Sequence, residues 1–375
     1  MPPGVNNKLE IVGNYSSECI GVIGGGIIGS TTALHLAMLG YTVELFDPEL
    51  KQTIDYSRML SGTKASLGVL MGYVYRRDKG RSWNLRKRSM ELWPNLLSNI
   101  STIDNPLRLD TPLIQLARSE HEAKRMEQLA EKRKDLGLKF FHSHPTTGQS
   151  HCWPKYEYGG LISKYDGRID PLELMIALIK ALDKHKVQTT NKKICRIDRV
   201  TSNGQSEWQL KLDNGQSLNK KHVVICAAAG TETLLKPLGH HYPLEPILGQ
   251  VLHLEIDAAC SAWSGWPAVL INNGINLIPH NQNELLIGAT VEPGITSNHQ
   301  YLINMKELNG ASPNWLRSSC IKNHWKGLRV KPINEPAPLL KNLEPGLILN
   351  TAHYRNGILL APACAEWVSK EIQAT

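Results

Sequence analysis

Residues 19–47, "CIGVIGGGIIGSTTALHLAMLGYTVELFD", constrain the fold more than any other stretch of this chain. A short β-branched run leads into glycines, an apolar run of helical length stops at Gly40, and a second strand-like run ends at Asp47. That order is a β-α-β unit. Within it Gly24, Gly26 and Gly29 match G-x-G-x-x-G at the point where strand passes into helix. The first glycine permits a tight turn, the second lets a pyrophosphate approach the backbone, and the third lets the helix pack closely on the strand. Ile27 and Ile28 occupy the free positions of the motif at the helix start. Asp47 ends the second strand, placed to accept hydrogen bonds from ribose hydroxyls. An adenine dinucleotide is implied, with no choice made between NAD and FAD.

With 375 residues the chain has room for one large or two interlocked domains. Residues 1–17 are polar and read as a loose N-terminal extension. The segment 101–150 is mostly polar and helix-prone, and "EHEAKRMEQLAEKRKDLG" is its clearest amphipathic helix, stopped by Gly137. A second helix is entered through Asp170-Pro171, where proline in the first turn loses no hydrogen bond. After it "KKICRIDRV", "SEWQLKLDNGQSL" and "KHVVICAAAG" read as three strands, with "DNG" marking a turn, and 249–292 is strand-rich. This order predicts a mixed α/β (α+β) fold. A Rossmann-like dinucleotide-binding domain from 18–100, 165–242 and 325–375 is interrupted by a smaller β-rich substrate domain from 101–164 and 243–324, with a cleft between them.

Seven cysteines (19, 152, 195, 226, 260, 320 and 364) are scattered singly, which argues against a disulfide framework and for buried free thiols in a reducing compartment. No leader pattern opens the chain, and no apolar run approaches the ~18–20 residues of a membrane span, so a soluble cytoplasmic protein is expected. The net charge of +8 comes largely from 76–88 and 124–134, basic runs broken by acids that read as solvated helix faces. Neither nucleic acid nor membrane is expected as a partner; an anionic small substrate would suit this balance. In 76–94 a helix is expected with Trp83, Leu85, Met90, Leu92 and Trp93 inward and its arginines outward; the alternative puts Arg76, Arg77 or Arg81 at the cleft mouth. His142, His144, His240, His241 and His353 lack accompanying carboxylates at metal-binding spacing, so no metal is expected.

The motifs "VIGGGIIGS", "TKASLGVL", "DGRIDPLEL", "HVVICAAAG", "LGQVLHLE", "LIPHNQNELLIGATVEPG", "WKGLRV" and "HYRNGILLAPA" together resemble the D-amino-acid oxidase superfamily of FAD enzymes, and most nearly its glycine oxidase branch. The resemblance implies FAD, held non-covalently, with its pyrophosphate at the first helix start and its flavin over the C-terminal arm. That arm supplies His353, Tyr354, Arg355, Asn356, Gly357, Ile358 and Leu359. Gly62, Thr63, Gly68 and Val69 are implied to line the flavin, and Ile194 to meet the adenosine half through its backbone. A Gly-led helix start has free N–H groups and a positive dipole end, which beside a flavin raises its electron affinity.

The same resemblance implies an amine substrate, usually an α-amino acid, oxidised by hydride transfer to the flavin. Arg329 matches the family's carboxylate clamp, a role suited to a planar guanidinium fork. Arg355 matches a second arginine near the site, and Asn276 stands as a hydrogen-bond donor. Where glycine oxidase-like sequences carry a tyrosine and other polar residues, this chain has Ile271, Gly274 and Asn276. The "GLRVKPINEP" stretch lacks the usual Arg-Pro step, and the segment from Asp47 to Gly68 is longer. The expected activity is therefore FAD-dependent oxidation of a small amino acid or amine whose identity is open. The imine is hydrolysed by water and molecular oxygen is reduced to hydrogen peroxide. The alternatives are a same-fold dehydrogenase serving a quinone or protein acceptor, and a non-catalytic flavoprotein. A homo-oligomer is left open.

Overall fold

The glycine-rich turn sits at the middle of a six-stranded sheet in the computed structural model, which describes residues 19–103, 106–142, 153–202, 205–257, 263 and 265–374. The N-terminal extension, His144, Cys152 and Cys260 lie outside the described residues. Across the sheet the order is Leu339–Glu344, Leu347–Thr351, His222–Ile225, Cys19–Ile23, Thr42–Phe46 and Gln188–Thr190. All neighbours run parallel except the first pair. From Cys19–Ile23 the chain moves to Thr42–Phe46 on one side and returns later to His222–Ile225 on the other. That reversal opens a crevice at the carboxyl ends of these strands, where open α/β sheets bind their ligands.

The central strands are near-continuous apolar runs because both faces are covered, one by helices and the other by a three-stranded sheet that meets Ile23, Phe46, Val223 and Ile225. Helix α1 (Ile27–Met38) is buried on most of its sides, including Ser30, Thr31 and Thr32. Ser30 Oγ donates to Gly25 O at 2.8 Å, and Asn350 Nδ2 donates to Thr32 Oγ1 at 3.2 Å. Helix α2 (Arg81–Ile100) and the C-terminal helix Gly357–Gln373 pack against one another, the latter also against α1. Around Pro362, which has no N–H to give, α2 supplies polar partners: Trp93 Nε1 donates to Leu359 O at 3.0 Å and Ala363 N to Ser89 Oγ at 3.3 Å. Arg86 is buried in α2, which corrects the expectation that every arginine of this helix faces outward. Among the described residues, no helix is long and apolar enough to cross a membrane.

A larger sheet runs Glu292–Pro293, Leu244–Glu255, Glu284–Gly288, Ile275–His280, Val269–Asn272, Leu113–Leu116, Gly160–Ser163 and Leu138–Phe141, with Cys320–Pro332 also paired to Leu244–Glu255. Helix α3 (Glu120–Lys132) packs on its Leu138–Phe141 edge. Pairing of Leu244–Glu255 with Cys320–Pro332 runs from Leu244↔Pro332 to Glu255↔Cys320. The boundary expected at 325 therefore falls inside one strand, because the pairing partner lies far away in sequence. "SEWQLKLDNGQSL" also divides, into Gln205–Leu212 and Ser217–Lys220 around Gly215 at φ +85°, a turn conformation that glycine adopts readily. With Ile194–Ser202 these strands form a separate three-stranded sheet. The thiols differ from expectation too: Cys226 and Cys364 are buried, while Cys195 and Cys320 are exposed.

Helix α4 (Pro171–Lys184) starts as its sequence predicts. Asp170 Oδ1 accepts from Leu172 N at 2.9 Å and Glu173 N at 3.3 Å, ahead of Pro171 in the first turn. One buried ion pair ties the three-stranded sheet to the six-stranded one. Lys220 Nζ lies 2.8 Å from Glu44 Oε2, and Thr190 Oγ1 donates to Glu44 Oε1 at 2.6 Å. Removing one member leaves the other charged in a dry environment, so Glu44→Ala is expected to lower unfolding stability by about 3–5 kcal/mol. The double substitution Glu44→Ala with Lys220→Met is expected to recover most of that loss in denaturant titrations; equal losses in both variants would contradict the assignment.

Candidate active site

The glycine turn is dictated by contact as much as by flexibility. Gly24 has φ +104°, and a Cβ there would lie 2.5 Å from Cys226 O; a Cβ on Gly29 would lie 1.7 Å from Gly24 O. Gly26 begins α1 without a side-chain cap, and Ile27 N donates to Thr63 Oγ1 at 3.0 Å instead. The neighbouring first-turn N–H groups have no acceptor within the helix, the arrangement that binds anions. Asp47 holds the turn from the next strand: Oδ2 accepts from Gly25 N at 2.6 Å and Oδ1 from Glu49 N at 2.7 Å. Its carboxylate is thus oriented by the backbone while it lines the site.

The C-terminal arm approaches from the adjacent strand Leu347–Thr351. Ala352 and Tyr354 take positive φ, +54° and +55°, a left-handed backbone that is uncommon for such residues and associated with functional sites. Asn356 N donates to His353 O at 3.1 Å, and Gly357 starts the last helix. A Cβ on Gly357 would lie 3.8 Å from Ile27 Cγ2, so the amino ends of two helices meet here. His353 is buried beside Cys364 Sγ at 3.4 Å; burial, with help from Arg81, pulls its pKa down to about 3 and keeps the ring neutral. Burial pushes the Cys364 thiol up to about 12.

A cavity of about 1200 Å³ opens along these elements, larger than the roughly 300–1,000 Å³ of ordinary small-molecule pockets. Its lining includes Gly24, Gly26, Ile27, Ile28 and Asp47 from the turn, and Gly62, Thr63, Gly68 and Val69 from the following segment. His353, Tyr354, Arg355, Asn356, Gly357 and Ile358 line it from the C-terminal arm, and Asn276 and Arg329 from the larger sheet. Three expected residues stand behind the wall. Gly29 packs on Gly24, Leu359 is buried with its carbonyl on Trp93, and Ile194 is buried at the start of its strand in the core around Ile23 and Phe46.

Arg329 is held from behind. Its Nη1 donates to Thr290 O at 3.0 Å, and its guanidinium lies over Gly249, where a Cβ would come within 2.3 Å of Nη2. Thr290 belongs to a buried network: Thr290 Oγ1 donates to Glu292 Oε1 at 2.5 Å and accepts from Gln250 N at 2.8 Å. Burial, followed by the charge of Arg355, pulls the Arg329 pKa down to about 10, so the group is cationic at neutral pH. Asn276 Nδ2 donates to Gly288 O at 2.8 Å, which engages one donor expected for a ligand.

The loop after Val69 carries more of the wall than its sequence suggests. Asp166 is fully buried and accepts from Gly72 N at 2.7 Å, Tyr73 N at 3.0 Å and Val74 N at 2.9 Å. Burial pushes its carboxyl above the usual range against the pull of those N–H groups. Arg133 donates to the carbonyls of Tyr73, Tyr75 and Arg77, with its guanidinium 3.9 Å from the Trp83 ring centre. Arg86 donates to Met71 O at 3.0 Å and Asn356 Oδ1 at 2.9 Å, with its guanidinium 4.1 Å from the Tyr75 ring centre. Arg86 shares the helical stripe of Met90 and Trp93, and Arg133 that of Met126 and Ala130, so both lie on inward stripes despite the basic runs around them. Arg76 and Arg77 line the cavity, whereas Arg81 donates to Pro338 O at 3.0 Å.

Of the histidines considered for metal, those described do not form a ligand group; the trio that does, among the described residues, is His253, His280 and Glu284 on the larger sheet. Lys322, Asn281 and His253 already bond the Glu284 carboxylate.

The family model for FAD dependent oxidoreductases (DAO) matches residues 20–371. Glycine oxidase of Bacillus licheniformis is 24% identical over 363 residues, which is 94% of this chain and 92% of that protein. The crystal structure of glycine oxidase from Geobacillus kaustophilus superposes with a TM-score of 0.78 at 20% identity, covering 96% of this chain and 95% of the other. Iminodiacetate oxidase from Chelativorans sp. BNC1 superposes at 0.75 with 18% identity, covering 95% of each chain.

A methyl group on Gly29 has nowhere to go. Gly29→Ala is therefore expected to purify with far less FAD than the parent, read from the visible absorbance per protein. A variant that retains full FAD content would contradict the close packing assigned to this turn.

Proposed function

The chain belongs to the FAD dependent oxidoreductase family, and from that premise we propose that it oxidises a small amino acid or amine. The imine is hydrolysed by water and molecular oxygen is reduced to hydrogen peroxide. FAD, when bound, supplies the two-electron acceptor for a hydride from the amine's α-carbon. The glycine turn would hold the pyrophosphate and Asp47 the adenosine ribose. Gly62, Thr63, Gly68, Val69 and residues 353–358 would line the flavin ring, with the Gly357 helix start favouring negative charge there. The glycine turn, Asp47 and the C-terminal arm follow strands of the six-stranded sheet, residues 62–69 come from the segment after it, and Arg329 and Asn276 stand on the larger sheet.

The observation that carries this reading is Arg329. It is braced by Thr290 O and Gly249, and the rest of its fork lines the cavity that also receives the C-terminal arm. A carboxylate bound there gains charge-assisted hydrogen bonds to a guanidinium that is already oriented. Arg355 adds positive charge at the mouth, and Asn276 orients the far side. His353 is too weak a base to take a proton from the amine at neutral pH. The wall's role is alignment and exclusion of water. Of Ile271, Gly274 and Asn276, which stand where an aromatic lid is expected, Asn276 alone is on the cavity lining, which suits an amine larger than glycine.

Arg329→Ala is expected to lower kcat/KM for carboxylate-bearing substrates by about 2–5 kcal/mol, roughly 30-fold to several thousand-fold, with FAD content retained. In the parent, kcat/KM for these substrates should fall above about pH 10, as the lowered Arg329 pKa lets the clamp lose its charge. Amines without a carboxylate should show no such limb. Unchanged kcat/KM in the variant would remove Arg329 from the site.

A further inference from the structure

The cavity also has a wall supplied by α3. Glu122, Arg125, Leu129 and Lys132 recur at three- and four-residue spacing on one face of α3, Arg118 stands just ahead of the helix, and all five line the cavity. Charge is segregated around this helix. On the remaining surface Lys124 pairs with Glu120 at 2.7 Å and Glu127 lies 3.8 Å from His142. On the cavity face the one acid, Glu122, has both oxygens engaged by Arg118, at 2.8 Å and 3.2 Å. Arg125 and Lys132 are exposed there and form no salt bridge among the described residues.

Two more cations join the same cavity from the loop before α2, Arg76 and Arg77. This loop is fixed: Asp166 binds three of its N–H groups, and Arg133 binds three of its carbonyls, that of Arg77 included. Asp78, the remaining acid of this wall, lies near enough to Arg133 to act on it electrostatically. Arg125 and Lys132 thus leave positive charge without a salt-bridge partner, among the described residues, on a concave surface. Such a surface focuses a field that attracts anions.

We propose that this wall binds a second anionic group, a carboxylate, phosphonate or phosphate at the end of the substrate remote from the carboxylate held by Arg329. The preferred substrates are then amino acids or secondary amines with at least two negative charges. The inference rests on the reading of Arg329 as the clamp for the first carboxylate. Guanidinium groups on fixed backbone suit oxyanions because their donors are already spread in a plane. Lys132 contributes as a point charge.

Succinate and succinamate test this, since they match in shape and differ by one charge. Their dissociation constants for the FAD-loaded protein are measured from the flavin difference spectrum and by calorimetry at low salt. Succinate is expected to bind at least about tenfold more tightly, and the ratio to fall towards one in Arg125→Gln/Lys132→Gln and in high salt. Equal binding of the two ligands, or a ratio that survives the double substitution, would overturn the proposal. Binding requires no turnover, so a protein that oxidises no amine would refute the oxidase reading while this ratio still decided the second-anion site. Conversely, flavin reduction by a neutral amino acid together with equal binding would overturn the second-anion site alone.

Discussion

The amino ends of two helices meet at one cavity, with Gly357 and Ile27 almost in contact. Each end carries roughly half a positive charge together with unsatisfied N–H groups. Two such ends repel unless negative charge lies between or beside them. Arg86, Arg329 and Arg355 add full charges to the same wall. The glycines of the first turn, the left-handed backbone at Ala352 and Tyr354, and the burial of both helices all serve to bring these ends together. A dinucleotide, with a pyrophosphate at its middle and an electron-accepting ring at one end, would answer that field along its length.

Oriented charge needs support from behind, and here it is extensive. Arg329 rests on Thr290, which rests on Glu292 and Gln250. Arg86 links α2 to Asn356 at the start of the last helix. Asp166 and Arg133 take opposite sides of one loop, the carboxylate binding N–H groups and the guanidinium binding carbonyls. This loop has little regular secondary structure of its own, so these two buried groups set its shape. The cations that face the ligand are therefore preorganised, which is what makes a polar group effective in a site.

Local features were legible in the sequence because they have a period or a cap: the turn before α1, the Asp170-Pro171 entry to α4, and the Gly357 helix start. Gly62, Thr63, Gly68, Val69 and residues 353–358, expected to share one site, line the same cavity. What depends on distant partners was not legible. Cys320–Pro332 runs as one strand through the boundary expected at 325 because it pairs with Leu244–Glu255, a stretch distant in sequence. Arg86 and Arg133 were read as solvent-facing because they sit in basic runs, although their spacing from Met90 and Met126 placed them on inward stripes. A charge on an apolar stripe is costly to bury unless it has partners, and it is therefore the charge to examine first. Ile194 shows the converse, a buried residue at its strand start that stands behind the cavity wall.

The central claim is that this cavity aligns an amine for oxidation by bound FAD. Its most direct test is anaerobic titration of the FAD-loaded protein with a panel of amino acids, dicarboxylic amines and N-methyl amines. Bleaching of the yellow absorbance by at least one of them, reversed with release of hydrogen peroxide when oxygen is admitted, is the result this account predicts. Absorbance that stays unchanged with every amine would contradict it.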